Sequence, residues 1–175
     1  MKYRIAAALL LLYAAAFLQA GPLAVLRPFG VAMMLPLALT VVTGLLRGPF
    51  ESILMGFLYG MSADMLLGRT LGLHALLYAA VAGLLALVNE KLYREKLLIQ
   101  FAFSFTAAVL TETAFYLVWF LLRGYESFGL MFLRNILPMA LCNGLLALPL
   151  YRPMAQVYAW LDTVDRKRNR IGGNA

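Results

Sequence analysis

Long apolar runs, separated by short breaks rich in glycine, proline and charge, cover almost the whole chain. They extend from about Ile5 to Ala20, Phe29 to Leu46, Phe50 to Leu67, Leu71 to Val88, Leu97 to Leu122 and Phe128 to Leu150. The breaks read "GP" then "RP", "RGP", "GRT", "NEKLYREK" and "RGYES", each a turn or charge signal. A hydrocarbon core of roughly 30 Å takes about 20 apolar residues to cross. The pattern therefore predicts an all-α integral membrane protein with about six transmembrane helices. It leaves no room for a soluble domain: residues 1–150 make the membrane domain and residues 151–175 a basic tail. Some runs lie near the short limit for a span, which implies modest tilt or snorkelling ends. Pro36 and Pro138 fall inside the second and sixth runs, where the missing backbone donor predicts kinks.

Within the third run a second pattern appears. Small or polar residues recur every four positions, at Ser52, Gly56, Gly60, Asp64, Gly68 and Gly72. Four residues advance a helix by about 400°, so the stripe drifts by about 40° per step. Gly56, Gly60 and Asp64 thus share one broad face, while Ser52 and Gly72 curve off it. In lipid no hydrophobic drive pulls helices together, and small residues let backbones come into van der Waals contact. Two uses of this face stay open: packing against a helix of the same chain, or a groove for a partner's helix. Gly44 and Gly48 form a weaker pair. Asp64 falls towards the outer end of the span, with Arg69 about a turn later. A carboxylate at the bilayer centre costs on the order of 2.5–3.5 kcal/mol by insertion scales, and less near an interface. Asp64 therefore requires a partner: a local cap, an ion pair with Arg69 or a neighbouring loop, or an external ligand or protein that it anchors.

Composition agrees with the runs. The chain is 63% hydrophobic and 13% charged, with a mean hydropathy of +0.83, where soluble domains are roughly 45–50% apolar and 25% charged. The net charge of +7 does not point to nucleic acid, because the basic residues sit mainly between apolar runs, as topology signals and lipid headgroup contacts. With a cytoplasmic N-terminus and six crossings, the inside holds Lys2, Arg4, Arg47, Lys91, Arg94, Lys96, Arg152, Arg166, Lys167, Arg168 and Arg170. The outside holds only Arg27, Arg69, Arg123 and Arg134. That asymmetry follows the positive-inside rule and places both termini in the cytoplasm; a five-span arrangement would put "DRKRNR" outside. The tail after Leu150 mixes Tyr151, Val157, Tyr158, Trp160 and Leu161 with a basic end. It is either a short interfacial amphipathic helix or the frayed end of the last span. The opening "MKYRIAAALLLLYAAAFLQAG" resembles a secretory signal, but Leu18 stands where cleavage favours a small residue, so an uncleaved first helix is expected.

Candidate chemistry is sparse. Glu112, in "VLTETAFY", lies mid-span where desolvation weighs most, with Asn143, at a similar predicted depth, as a hydrogen-bonding mate. It is either a packed polar contact or a proton or substrate site. Arg134 is expected to snorkel. His74 reads as a hydrogen-bonded interface residue rather than a ligand, and Cys142 has no predicted base beside it. A single cysteine and a single histidine argue against an internal disulfide or a metal cluster. There is no GxxxxGK[ST], HExxH or nucleophile elbow. Neither enzymatic activity nor a cofactor is expected.

The stretch "GFLYGMSADMLLGRTLGLHALLYAAVAGLL", with Gly56, Phe57, Gly60, Asp64, Gly72, Leu73 and Ala75, resembles the central signature of the MreD family of rod shape-determining proteins. In that family a glycine-spaced helix ends in an aspartate, and a short loop leads to a "GL" that opens the next helix. The resemblance implies a multi-pass, non-enzymatic component of the bacterial elongation machinery in the cytoplasmic membrane. It further implies work with the single-span protein MreC, the actin-like MreB filament, RodA and its paired penicillin-binding transpeptidase, and a fold similar to the substrate-binding subunits of energy-coupling-factor transporters. Membership of that transporter class is the alternative; Glu112, Asn143 and Asp64 would then bind a small polar ligand such as a vitamin. A structural membrane protein of unrelated family would share the packing stripe and neither set of partners.

Overall fold

The computed structural model describes residues 2–21, 30–67, 72–89, 97–123 and 128–172, apart from some side chains near helix ends. Every regular element among them is helical: α1 (Lys2–Ala20), α2 (Leu35–Leu46), α3 (Pro49–Leu67), α4 (Leu73–Asn89), α5 (Leu97–Arg123), α6 (Phe128–Met131) and α7 (Leu137–Gly172). A π-helical turn, Phe132–Ile136, joins α6 to α7, so together they form the sixth long helical stretch.

α2 is the centre. It is apolar all round and buried from Leu35 to Leu45, as a helix without a polar face must be, and it touches α1, α3, α4, α5 and α7. Its polar exceptions return their hydroxyls to the helix: Thr40 donates to the Pro36 carbonyl and Thr43 to that of Leu39, both at 2.8 Å. The surrounding helices turn large apolar side chains outwards, among them Phe50, Leu76, Leu84, Leu98, Leu121 and Leu145. So extensive an apolar exterior suits lipid rather than water. Leu97–Leu121 and Gly129–Val164 are each long and apolar enough to cross a membrane, and Leu10–Ala20, Leu35–Leu46 and Leu73–Val88 are shorter apolar helices.

The second apolar run departs from expectation. Its helix begins only at Leu35, and Val31–Met34 are non-helical. Such backbone survives at membrane depth only when protein satisfies it, and two side chains do so. Gln19 Nε2 donates to the Met33 carbonyl at 2.9 Å, and Gln19 Oε1 accepts the Leu35 N–H at 2.8 Å. Asn143 Oδ1 accepts the Met34 N–H at 2.8 Å. Pro36 is consequently not a kink: it lies in the first turn of α2, where no intrahelical donor is missed. In the sixth run, the π turn immediately precedes Pro138. The helix then continues without a break at Leu150, through Pro149 and Pro153, to Gly172. Beyond residue 150, Met154, Tyr158 and Leu161 at helical spacing join the main core.

Candidate functional site

The glycine stripe faces the next helix of the same chain. A Cβ at Gly56 would lie 2.7 Å from the Tyr78 carbonyl oxygen, and one at Gly60 only 2.4 Å from Ala75 Cα and from the His74 carbonyl oxygen. Gly83 reciprocates from α4, where a Cβ would meet Ile53 Cγ1 at 2.9 Å. α3 and α4 therefore pack backbone to backbone, the largest helix interface among the described residues, and at Gly56 and Gly60 no space remains for a second chain's helix. At the other end of the stripe Ser52 donates to the carbonyls of Thr43 (3.3 Å) and Arg47 (3.2 Å), closing the α2–α3 corner. Gly68 and Arg69 lie outside the described residues.

Asp64 ends the stripe in a knot of hydrogen bonds. It is 1% exposed. Its Oδ2 accepts the N–H groups of Gly72 (2.9 Å) and Ala75 (3.2 Å), and its Oδ1 accepts the N–H of His74 at 3.2 Å. His74 Nδ1 lies 2.7 Å from the same Oδ1. The carboxylate thus caps α4, whose first N–H groups have no intrahelical acceptors and whose dipole favours negative charge there. Gly72 permits the turn into the cap with a φ of +99°, which side-chain-bearing residues rarely adopt. The His74 ring stacks on Phe115 of α5 (centroids 4.3 Å apart) and meets Tyr78 edge-on at 5.8 Å. One aspartate therefore ties α3 to α4 and, through His74, to α5. His74 is not among the partners expected for Asp64 from the sequence. The available signal was an acid and a histidine ten residues apart, on either side of the short "GRTLG" connection.

Glu112 and Asn143 do not form the expected pair. Asn143 is fully buried, its side-chain carbonyl accepts the Met34 N–H, and its backbone carbonyl accepts Ser104 Oγ at 3.1 Å. Ser104 is thus the α5 residue level with Asn143, and Glu112 stands eight residues, about 12 Å, further along α5. That puts it near Phe115 and the Asp64–His74 knot. The Nδ2 of Asn143 finds no hydrogen-bond partner among the described residues. Cys142 is buried beside Val31 and Met139, and Arg134 is exposed within the π turn.

Arg47, read from the sequence only as a topology charge, is a second junction. Its Nη1 donates to both carboxylate oxygens of Asp162 (2.9 and 3.1 Å), and its Nη2 to the Tyr158 carbonyl at 3.2 Å. Its guanidinium lies 4.4 Å over the Tyr158 ring, and Nε is 3.7 Å from Glu51. Arg47 thereby clamps the α2–α3 corner to α7, more than two turns beyond Leu150. Arg166 is exposed, whereas Lys91, Arg94 and Lys96, and the side chains of Lys167, Arg168 and Arg170, lie outside the described residues.

Among the described residues no three His, Cys, Asp or Glu side chains group as metal ligands. The polar groups serve to join helices, and the whole has the character of a polytopic all-α membrane protein with a lipid-facing apolar girdle. Residues 2–160 match the family of the rod shape-determining protein MreD. The chain belongs to that family of membrane proteins, whose role is the determination of rod shape and is not enzymatic. No curated protein and no solved structure matches it.

Proposed function

We propose that the chain is a scaffold of the bacterial elongation complex that binds an MreC-type single-span protein and helps to organise lateral peptidoglycan synthesis. The family match over residues 2–160 carries this reading. In it, the protein lies in the cytoplasmic membrane with both termini inside. Lys91, Arg94, Lys96, Arg166, Lys167, Arg168 and Arg170 meet lipid headgroups or cytoplasmic partners. MreB, RodA and its penicillin-binding transpeptidase are the further members of the assembly. The membrane unit, expected over residues 1–150, extends along α7 to include the core residues Met154, Tyr158 and Leu161, and the remainder of the segment from 151 carries its basic end towards the cytoplasm.

The internal joints support a scaffold more than a ligand carrier. Asp64 and the side-chain carbonyl of Asn143 are already engaged within the chain, so two of the three groups that would hold a vitamin are occupied. The deciding experiment is affinity recovery of the tagged full chain in mild detergent from its own membranes. Co-purification of a single-span coiled-coil protein with wall-synthesis enzymes is the expected result. Recovery of paired ATPases with a coupling membrane protein would overturn it in favour of transport.

A further inference from the structure

The structure pairs Arg47 with Asp162 where α2 ends and α3 begins, and this fixes a level along α7. Phe50, one turn of chain away, is 83% exposed, and Leu87 of α4 and Leu98 of α5 are exposed near the ends of their helices. The apolar girdle of the bundle thus reaches this level. Arg152 lies ten residues earlier on α7, about 15 Å deeper at 1.5 Å per residue, and it is exposed with no ion pair or hydrogen bond among the described residues. An arginine facing lipid at such a depth is costly unless it meets an opposite charge or reaches the interface.

The same face is otherwise incomplete. Pro149 and Pro153 carry no N–H, so the carbonyls of Leu145 and Pro149 lose their helical donors. Gln156, one turn from Arg152, is also exposed. Beside this polar strip runs a wholly apolar crevice of about 150 Å³, floored by Leu35 and Leu39 of α2 and walled by Ala14 and Leu18 of α1 and by Pro153 and Val157 of α7. A cationic side chain and an adjoining apolar furrow together match a helix that is apolar with one acidic residue.

We infer that this face of α7, centred on Arg152 and Gln156, docks a transmembrane helix of another protein that carries an Asp or Glu at the matching depth. The inference rests on the proposal that the chain works with a single-span partner, and it names the surface and the charge by which that partner is held. The carboxylate neutralises Arg152 in a medium of low dielectric, where such pairing is strong. Apolar side chains of the same helix fill the crevice between α1 and α7.

A photo-crosslinking residue placed at Gln156 of the full chain, in its own cells, tests this. The expected result is one protein adduct whose linked peptide is an apolar span containing Asp or Glu. The same probe at Leu84, on an outward face of α4, should give none. Arg152→Glu should reduce both the adduct and affinity recovery of that partner about tenfold or more, while Arg152→Lys retains them; thermal unfolding of each variant in detergent checks that the fold is intact. Adducts with lipid only, or a partner whose recovery is indifferent to Arg152→Glu, would overturn the docking surface while leaving the scaffold proposal standing. Failure to recover any single-span partner with the unaltered chain would overturn both.

Discussion

At the scale of single residues, Asp64 is tightly held, because four donors converge on its two oxygens. Asp64→Asn replaces one acceptor by an amide that points hydrogens at N–H groups. It should cost about 2–4 kcal/mol, since charge-assisted bonds are lost and buried donors are left unmet. His74→Phe keeps a ring against Phe115 but forgoes one bond, and should cost about 1–2 kcal/mol. Reversible unfolding in mixed micelles ranks the two; equal or inverted losses would mean that the histidine, and not the helix cap, holds the site. The need of Asp64 for a partner was legible in the sequence, because a carboxylate in an apolar run is expensive. The identity of the partner was not, since hydrogen bonds across a connection depend on how the two helix ends are presented.

At the scale of elements, the α3–α4 hairpin and the α2–α7 junction make opposite demands. Gly60→Ala sets a methyl group against the backbone of Ala75 and His74, so the helices must separate, at a cost of about 1–3 kcal/mol. Gly129→Ala meets nothing within 4 Å and should leave stability unchanged or raise it by about 0.4–1 kcal/mol. Thermal unfolding of the pair in one detergent separates close packing from a general intolerance of substitution. The α2–α7 junction is polar and partly exposed. A double-mutant cycle of Arg47→Ala and Asp162→Ala should return a coupling of about 1 kcal/mol, and a coupling near zero would deny the clamp any hold on α7. The four-residue stripe marked the first interface because its period is helical. The second was hidden: Arg47 and Asp162 lie 115 residues apart, and no local pattern links them. The late start of α2 was equally hidden, since the side chains that replace its missing turns, Gln19 and Asn143, belong to other helices.

For the whole molecule, the proposed orientation makes a labelling prediction. In a Cys142→Ala background, a cysteine in place of Arg166 should react with an impermeant maleimide only after the membrane is opened from the cytoplasmic side. A cysteine in place of Gly129 should react in intact spheroplasts. The reverse pattern would invert the topology. The helical, lipid-facing character of the molecule followed from run length and hydropathy; the internal joints rest on contacts that no run reveals. One of those joints also bears on biogenesis. α3 carries Glu51 and Asp64 and falls short of the hydropathy of the two long spans, so it is poorly suited to leave a translocon unaided. Its carboxylate finds its donors only eight to eleven residues later in the chain, a separation that closes as soon as the start of α4 emerges. α3 and α4 should therefore enter the bilayer as one preassembled hairpin, with Asp64 acting first as a chaperone of its own insertion and only afterwards as a fastening.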